Sequence, residues 1–193
     1  PKHESNIKKD MVLVQSFKTA EQRAGNDFVT VGLSATRCDF NTIQAAINSI
    51  PVLSALDIRI ASNKTYDENL SISNKNINLL GGYADCLEAF GPFAPTGGQV
   101  LVNGGNNFPV IRISGSSLDM SLQFNNMRLL DGLGFPINGI SGMRAGGGIY
   151  ANNTTADIKM FNTDIRNNEA TFGAGIAMIG NDSNLVMENS NIS

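Results

Sequence analysis

The residues here that could do chemistry are a scatter of carboxylates and two cysteines. Asp119, Asp131, Asp157, Asp164, Asp182 and Glu188 stand on the repeating segments described below. Two such groups about 5–10 Å apart would suit glycoside hydrolysis, and Asp157 with Asp182 is the pair whose spacing comes nearest to that. Ca2+ would need roughly six to eight oxygens, several of them carboxylates. No carboxylates cluster in this way, so no metal or other cofactor is expected. A Ser-His-Asp arrangement is excluded because the only histidine, His3, lies in the polar first ten residues. The two cysteines, Cys38 and Cys86, form no Cys-x-x-Cys motif, so a zinc site is not expected either. They are a disulfide or two buried thiols. A disulfide would close a loop of 48 residues and stabilise by roughly 4 kcal/mol on a chain-entropy estimate. Tyr150, Lys159 and Arg166 are candidates for a carbohydrate- or partner-binding face. Arg128 aligns with Asp164 as a surface ion pair worth under about 1 kcal/mol.

These residues need a scaffold, and composition limits what it can be. The 193 residues are 41% hydrophobic and 16% charged, with net charge −3. That is enough apolar material for one domain with a core. No Lys/Arg run exists, so nucleic-acid binding has no electrostatic support. No apolar run approaches the roughly 20 residues of a membrane helix. The chain begins at Pro1, so any signal peptide or tag is expected to have been removed or never included. Abundant Asn and 20 Gly among many Ile, Leu and Val point to short strands joined by tight turns. Sequons at Asn63, Asn69, Asn153 and Asn181 are what so Asn-rich a chain yields by chance.

One helix is predicted over Asn41–Ile50. Asn41 suits an N-cap and Gln44 a capping-box partner. Ile43, Ala46, Ile47 and Ile50 form one apolar face, and Pro51 ends the helix. Alternation then predicts strands around Ile58/Ile60, Leu70/Ile72, Ile77/Leu79, Val100–Val102 and Val110–Ile113. Met11–Gln15 and Phe28–Val31 read as earlier strands, and Ala84–Gly98 reads as a loop.

A repeat decides the architecture. Gly148-Ile149-Tyr150-Ala151 matches Gly175-Ile176-Ala177-Met178 at an offset of 27, which carries Ile158 onto Leu185, Met160 onto Met187, Asn162 onto Asn189 and Ile165 onto Ile192. An offset of 36 carries Ile113 onto Ile149, Leu122 onto Ile158, Phe124 onto Met160, Asn126 onto Asn162 and Leu129 onto Ile165. The nine extra residues fit the loop Gly132–Ala145. Such a period with such alternation predicts a coil of parallel strands. Asn126, Asn162 and Asn189 then form a structural amide ladder.

Two stretches carry a resemblance. Phe40-Asn41-Thr42-Ile43-Gln44-Ala45-Ala46-Ile47, Tyr66-Asp67-Glu68-Asn69-Leu70 and Ile77-Asn78-Leu79-Leu80-Gly81-Gly82-Tyr83 together resemble the N-terminal cap and first coil of pectin-lyase-like β-helix proteins, pectin methylesterases among them. Ile165-Arg166-Asn167-Asn168-Glu169-Ala170-Thr171-Phe172-Gly173-Ala174-Gly175-Ile176 resembles the repeats of bacterial surface β-helix proteins, such as polymorphic outer-membrane proteins and autotransporter passengers. The resemblance implies an all-β, right-handed single-stranded parallel β-helix with a short capping α-helix. Residues 1–35 would be an N-terminal extension with capping strands. Residues 36–193 would be the helix itself, with the cap at 41–50, rungs from about 57 and recognisable repeats over 110–193. In such proteins one Cys near the cap helix and another after Gly-Gly-Tyr recur, which implies a Cys38–Cys86 disulfide. The resemblance also implies a secreted or bacterial cell-surface protein. Its pectin methylesterase motifs are missing: no stretch like Tyr-Gln-Asp-Thr-Leu-Tyr or Asp-Phe-Ile-Phe-Gly occurs, and Phe172-Gly173 is too short to stand for one.

The expected function is therefore a non-catalytic scaffold for adhesion, assembly or contact with a glycan or a host or cell-surface protein. The alternative is a polysaccharide-active enzyme, lyase, esterase or glycoside hydrolase, with its site in the Gly132–Ala145 loop or beyond residue 193. The end at Ser193 falls within a repeat. A truncated C-terminal rung, open to edge-to-edge pairing, is expected there.

Overall fold

A computed structural model describes residues 28–33, 37–115, 119–137, 140–152, 155–180 and 183–193. The strand expected over Met11–Gln15, the histidine His3 and the residues Asn153, Asn181 and Asp182 lie outside the described residues.

In chain order the elements begin with β1 (Phe28–Val31), α1 (Ile43–Ser49), β2 (Ala55–Ala61), β3 (Thr65–Asp67) and β4 (Leu70–Ser73). Next come β5 (Asn76–Tyr83), α2 (Cys86–Phe90), β6 (Val100–Asn103) and β7 (Ile111–Ser114). After these follow β8 (Asp119–Asn125), β9 (Met127–Leu130), β10 (Phe135–Pro136), β11 (Arg144–Ala145) and β12 (Ile149–Asn152). The last five are β13 (Thr155–Phe161), β14 (Asp164–Arg166), β15 (Ile176–Ile179), β16 (Asn184–Glu188) and β17 (Asn191–Ile192).

These strands make an all-β fold of parallel sheets. The first sheet has the order β1-β2-β5-β8-β13-β16, the second β17-β14-β9-β6-β3 and the third β15-β12-β7-β4. From β2 onward the chain visits the first, second and third sheets in turn, and repeats that circuit. Among the described residues, only the β10–β11 hairpin pairs antiparallel.

Alternation in the sequence becomes an inside and an outside. In β8 the burial of Met120, Leu122 and Phe124 alternates with the exposure or partial exposure of Asp119, Ser121, Gln123 and Asn125. Inward residues from all three sheets, among them Leu79, Phe124, Met160, Val102, Leu129, Ile113 and Ile149, form one buried cluster. In the last repeat the matching residues open to solvent: Leu185 is 37% exposed and Ile192 44%.

The 27-residue offset holds strand by strand, with Ile149 opposite Ile176, Ile158 opposite Leu185 and Ile165 opposite Ile192. The 36-residue offset holds from Asp119 onward but not before. Ile149 pairs with Ile111, while Ile113 pairs with Ala151. The cause is length, since the link from Ser114 to Asp119 is two residues longer than that from Asn152 to Thr155.

Small residues recur where the second sheet turns into the third. A Cβ on Gly148 would lie 2.4 Å from Ile165 Cγ2 and 2.5 Å from Gly175 O, so no larger residue fits there.

The predicted helix is present but shorter, and its cap is Thr42 rather than Asn41. Thr42 Oγ1 accepts from Ala45 N at 3.2 Å. Gln44 is no capping partner either, because it reaches across to β4, where its Oε1 accepts from Ser71 N at 2.7 Å. The N-terminal amides of Ile43 and Gln44 donate instead to the two carboxylate oxygens of Glu68, at 3.0 and 2.9 Å. At the other end Lys75 Nζ donates to Ile47 O at 2.6 Å. An anion at the N-terminus and a cation at the C-terminus both complement the helix dipole. Glu68→Ala is expected to cost about 1–2 kcal/mol, the range for a lost cap, read from urea unfolding followed by circular dichroism. A change within about 0.3 kcal/mol, well below a lost cap, would count against Glu68 as the anchor.

The segment Ala84–Gly98 is not loop throughout, since it contains α2. Asp85 caps α2 by accepting from Leu87 N and Glu88 N at 2.8 and 2.9 Å. Cys86 on α2 is bonded to Cys38, with 5.2 Å between their Cα atoms. No helix among the described residues is long and apolar enough to cross a membrane.

Candidate functional site

The outward side of the first sheet carries two polar columns set by strand register. One runs Ala55, Asn76, Ser121, Asp157, Asn184, and the other Asp57, Asn78, Gln123, Lys159, Val186. Strands stand about 4.8 Å apart, and positions two residues apart on one strand are separated by about 7 Å. The result is a grid of amides, hydroxyl and carboxylates with a regular spacing.

Side chains hold one another across the grid. Asn78 Nδ2 donates to Asp57 Oδ1 at 2.7 Å, and Asn184 Nδ2 donates to Asp157 Oδ1 at 2.8 Å. Asn76 Oδ1 accepts from Ser121 N at 2.8 Å. Each carboxylate is thus paired with an amide, which fixes its direction without neutralising its charge. At the β2 end of the grid, Ala55, Leu56, Asp57, Asn76, Asn78 and Ser121 line an open depression of about 450 Å³. Beside it Arg59 fixes α2 to the sheet, donating to Gly91 O at 3.1 Å with its guanidinium 3.7 Å from the Phe28 ring centre.

The sequence candidates distribute as follows. Asp157 and Lys159 are exposed on this grid. Asp57 and Asp157 stand three strands apart and two residues out of register, about 16 Å at sheet spacing, beyond the reach of a two-carboxylate hydrolytic pair. Among the described residues no three His, Cys, Asp or Glu side chains stand where they could hold a metal ion.

Tyr150, Lys159 and Arg166 do not share a face, because they belong to the third, first and second sheets. Tyr150 is also no surface contact, being 4% exposed. Phe135 from the β10–β11 hairpin stacks on its ring, with centroids 5.0 Å apart and planes 16° from parallel. The Arg112 guanidinium sits 4.2 Å from the centroid of the Phe135 ring. The inserted segment therefore folds back as a cover over the third sheet. Its own depression, about 510 Å³, is lined by Ile137, Ile140, Met143 and Arg144 among others, and no described carboxylate lines it. Arg144 Nη1 there is engaged with Gly134 O at 2.9 Å.

Asn126, Asn162 and Asn189 adopt left-handed backbone, with φ of 53°, 46° and 49°. Asn tolerates that region better than most residues, which accounts for its recurrence at this corner. Asn162 Nδ2 donates to Asn126 Oδ1. Asn126 is half-buried with its Nδ2 turned toward Gly81 O at 3.4 Å, whereas Asn162 and Asn189 are exposed.

Sequence reasoning missed Asp57, Asn76 and Asn78. Their signal was present as the polar half of Asp57-Ile58-Arg59-Ile60 and Asn76-Ile77-Asn78-Leu79. No protein-family model matches the chain, and no curated protein or solved structure matches it.

Proposed function

We propose that the three sheets are the sides of one right-handed parallel β-helix of the pectin-lyase-like kind, with α1 as its N-terminal cap. We propose further that it serves as a secreted or cell-surface scaffold whose polar grid binds a glycan. The cyclic order of the sheets around one shared apolar cluster supports the first part, and right-handed crossovers are the rule for parallel strands. The Cys38–Cys86 bond supports an oxidising compartment.

The observation that carries the binding role is the pair of outward columns, with Asp57–Asn78 and Asp157–Asn184 each presenting an amide beside a carboxylate. Vicinal hydroxyls of a sugar both donate and accept, and such a pair offers both. A polymer of sugars would find like groups again at each strand step. The reading is non-catalytic because the carboxylates are spread along the grid rather than opposed across a bond.

The test is a glycan array probed with the purified chain and with Asn78→Leu, which keeps the side chain's size but removes its donor and acceptor. Binding by the parent to one glycan class, weakened about tenfold or more in the variant as expected for lost hydrogen bonds to a charged partner, would support the reading. Release of cleaved or de-esterified product from a bound polysaccharide would replace it with an enzymatic one. Binding that Asn78→Leu leaves unchanged would remove the grid from the account.

A further inference from the structure

We infer that the β2 end of the polar grid selects a sugar carrying an ammonium group, and so takes polymers of amino sugars and turns away polyuronates. The inference rests on the glycan reading of that grid and names the class of sugar it would take.

The case begins with charge. The depression at this end is lined by Ala55, Leu56, Asp57, Asn76, Asn78 and Ser121. Asp57 is the one charged residue among them, and it is a carboxylate. Arg59 follows it on β2, about 7 Å away by strand geometry. That cation is committed to α2: its Nη1 donates to Ala89 O at 3.3 Å and to Gly91 O at 3.1 Å, and its guanidinium lies 3.7 Å from the Phe28 ring centre. Lys75, just before β5, is engaged as well, its Nζ donating to Ile47 O at 2.6 Å. In register Asp57 stands between Phe28 and Asn78, with Gln123 next. Lys159 in the same column is three strands away, about 14 Å and so beyond the screening length of roughly 10 Å at 0.1 M salt. Over the outward side of the whole sheet, Asp57, Asp119, Asp157 and Glu188 stand against Arg59 and Lys159 among the described residues. The field at the depression is therefore negative, which draws a cationic ligand and repels an anionic one.

Hydrogen-bonding capacity points the same way. An ammonium has three donors and no acceptor, so it needs oxygens. Asp57 Oδ1 accepts from Asn78 Nδ2 at 2.7 Å. No hydrogen bond among the described residues engages Asp57 Oδ2 or Asn78 Oδ1. Both oxygens belong to side chains already joined to each other, so they serve one place. A uronate offers acceptors to this pair and meets Asp57 as a like charge. The neutral donors of Asn76 and Ser121 give it weaker bonds than a charge-assisted one. Ala55 and Leu56 add apolar surface for the C–H groups of a sugar ring.

The test titrates the whole chain with three oligosaccharides of equal length, made of glucosamine, N-acetylglucosamine and galacturonic acid. Low ionic strength keeps surface charges least screened. The glucosamine oligomer is expected to bind about tenfold more tightly than the N-acetylated one, the scale of a charge-assisted hydrogen bond. The galacturonate oligomer is expected not to bind. Asp57→Asn keeps an acceptor for Asn78 but loses the charge, and should erase the tenfold preference. Asp57→Glu keeps the charge and should keep the preference. Asp67→Asn removes one charge from an exposed position on β3, in the second sheet, and should change nothing. A preference that survives in Asp57→Asn, falls equally in Asp67→Asn, or is lost in Asp57→Glu would overturn selection by the Asp57 charge. Galacturonate bound as tightly as glucosamine would overturn the choice of sugar and leave the glycan reading standing. If none of the three binds, the ammonium choice falls, and the glycan array decides whether the glycan reading falls with it.

Discussion

Replacing Cys38 and Cys86 together by alanine will lower the free energy of unfolding by about 4 kcal/mol, the largest effect expected from any change outside the core. The bond joins the segment after β1 to α2 across a separation of 48 residues. Between those points lie α1 and the strands β2 to β5, so the unfolded chain loses a large closed loop when the bond goes. For a domain of this size the shift in Tm is about 10 °C. Both cysteines are buried, at 4% and 2% exposure. Gly32 packs so closely on them that a Cβ would stand 2.5 Å from one sulfur and 2.7 Å from the other. The folded side of the bond therefore has little freedom to relax, and most of the loss falls on the unfolded side. Guanidinium unfolding of the oxidised parent, the reduced parent and the double variant separates the contributions. Reduced parent and variant are expected to agree within about 1 kcal/mol, with m larger than in the oxidised chain because the opened loop exposes more surface. A loss below about 1 kcal/mol would show that the cap region is already open in the ensemble that unfolds.

What was legible in the sequence follows from where insertions fall. The repeats carrying β12 to β17 contain none, so one offset placed Ile149 on Ile176 and Met160 on Met187, as the register has them. One repeat earlier, a link two residues longer slipped Ile113 from Ala151 to Ile149 in the alignment. Before that, α2 and its flanking turns sit between β5 and β6, and the polar columns through Asp57, Asn78 and Gln123 have no constant spacing. The candidate site was therefore hidden although every residue of it alternates correctly. Local signals fail when the partner is distant. Asn41 and Thr42 are both good cap types, and what decides between them involves Glu68, 25 residues from Ile43. Tyr150 stands at an outward strand position, but its cover is Phe135, supplied by an inserted segment whose path no periodicity reveals.

Phe124→Ala is expected to cost about 3–5 kcal/mol, the range for losing a fully buried ring, and to sit at the upper end of that range. Phe124 is 0% exposed and is among the largest fully buried side chains. In register it stands between Leu79 on β5 and Met160 on β13, with Met187 beyond. The cost of a cavity depends on how far the neighbours can move into it. Here they move little, because β8 is hydrogen-bonded to a parallel strand on each side and the ladder holds the strands about 4.8 Å apart. Thr163 adds a cross-tie, its Oγ1 donating to Phe124 O at 3.2 Å from the next repeat. Relaxation is left to side chains, and Met160 is the most adaptable of them. Phe124→Met is therefore expected to cost less than half as much as the alanine change, since it keeps most of the volume in a flexible side chain. Unfolding in urea measures both. In a stack where each repeat contacts only its neighbours, the damage should be local. Hydrogen exchange in Phe124→Ala should quicken first in β5, β8 and β13, while amides of α1 keep their protection. Uniform loss of protection across all three sheets would mean the stack unfolds as a single cooperative unit, with no local opening at β8.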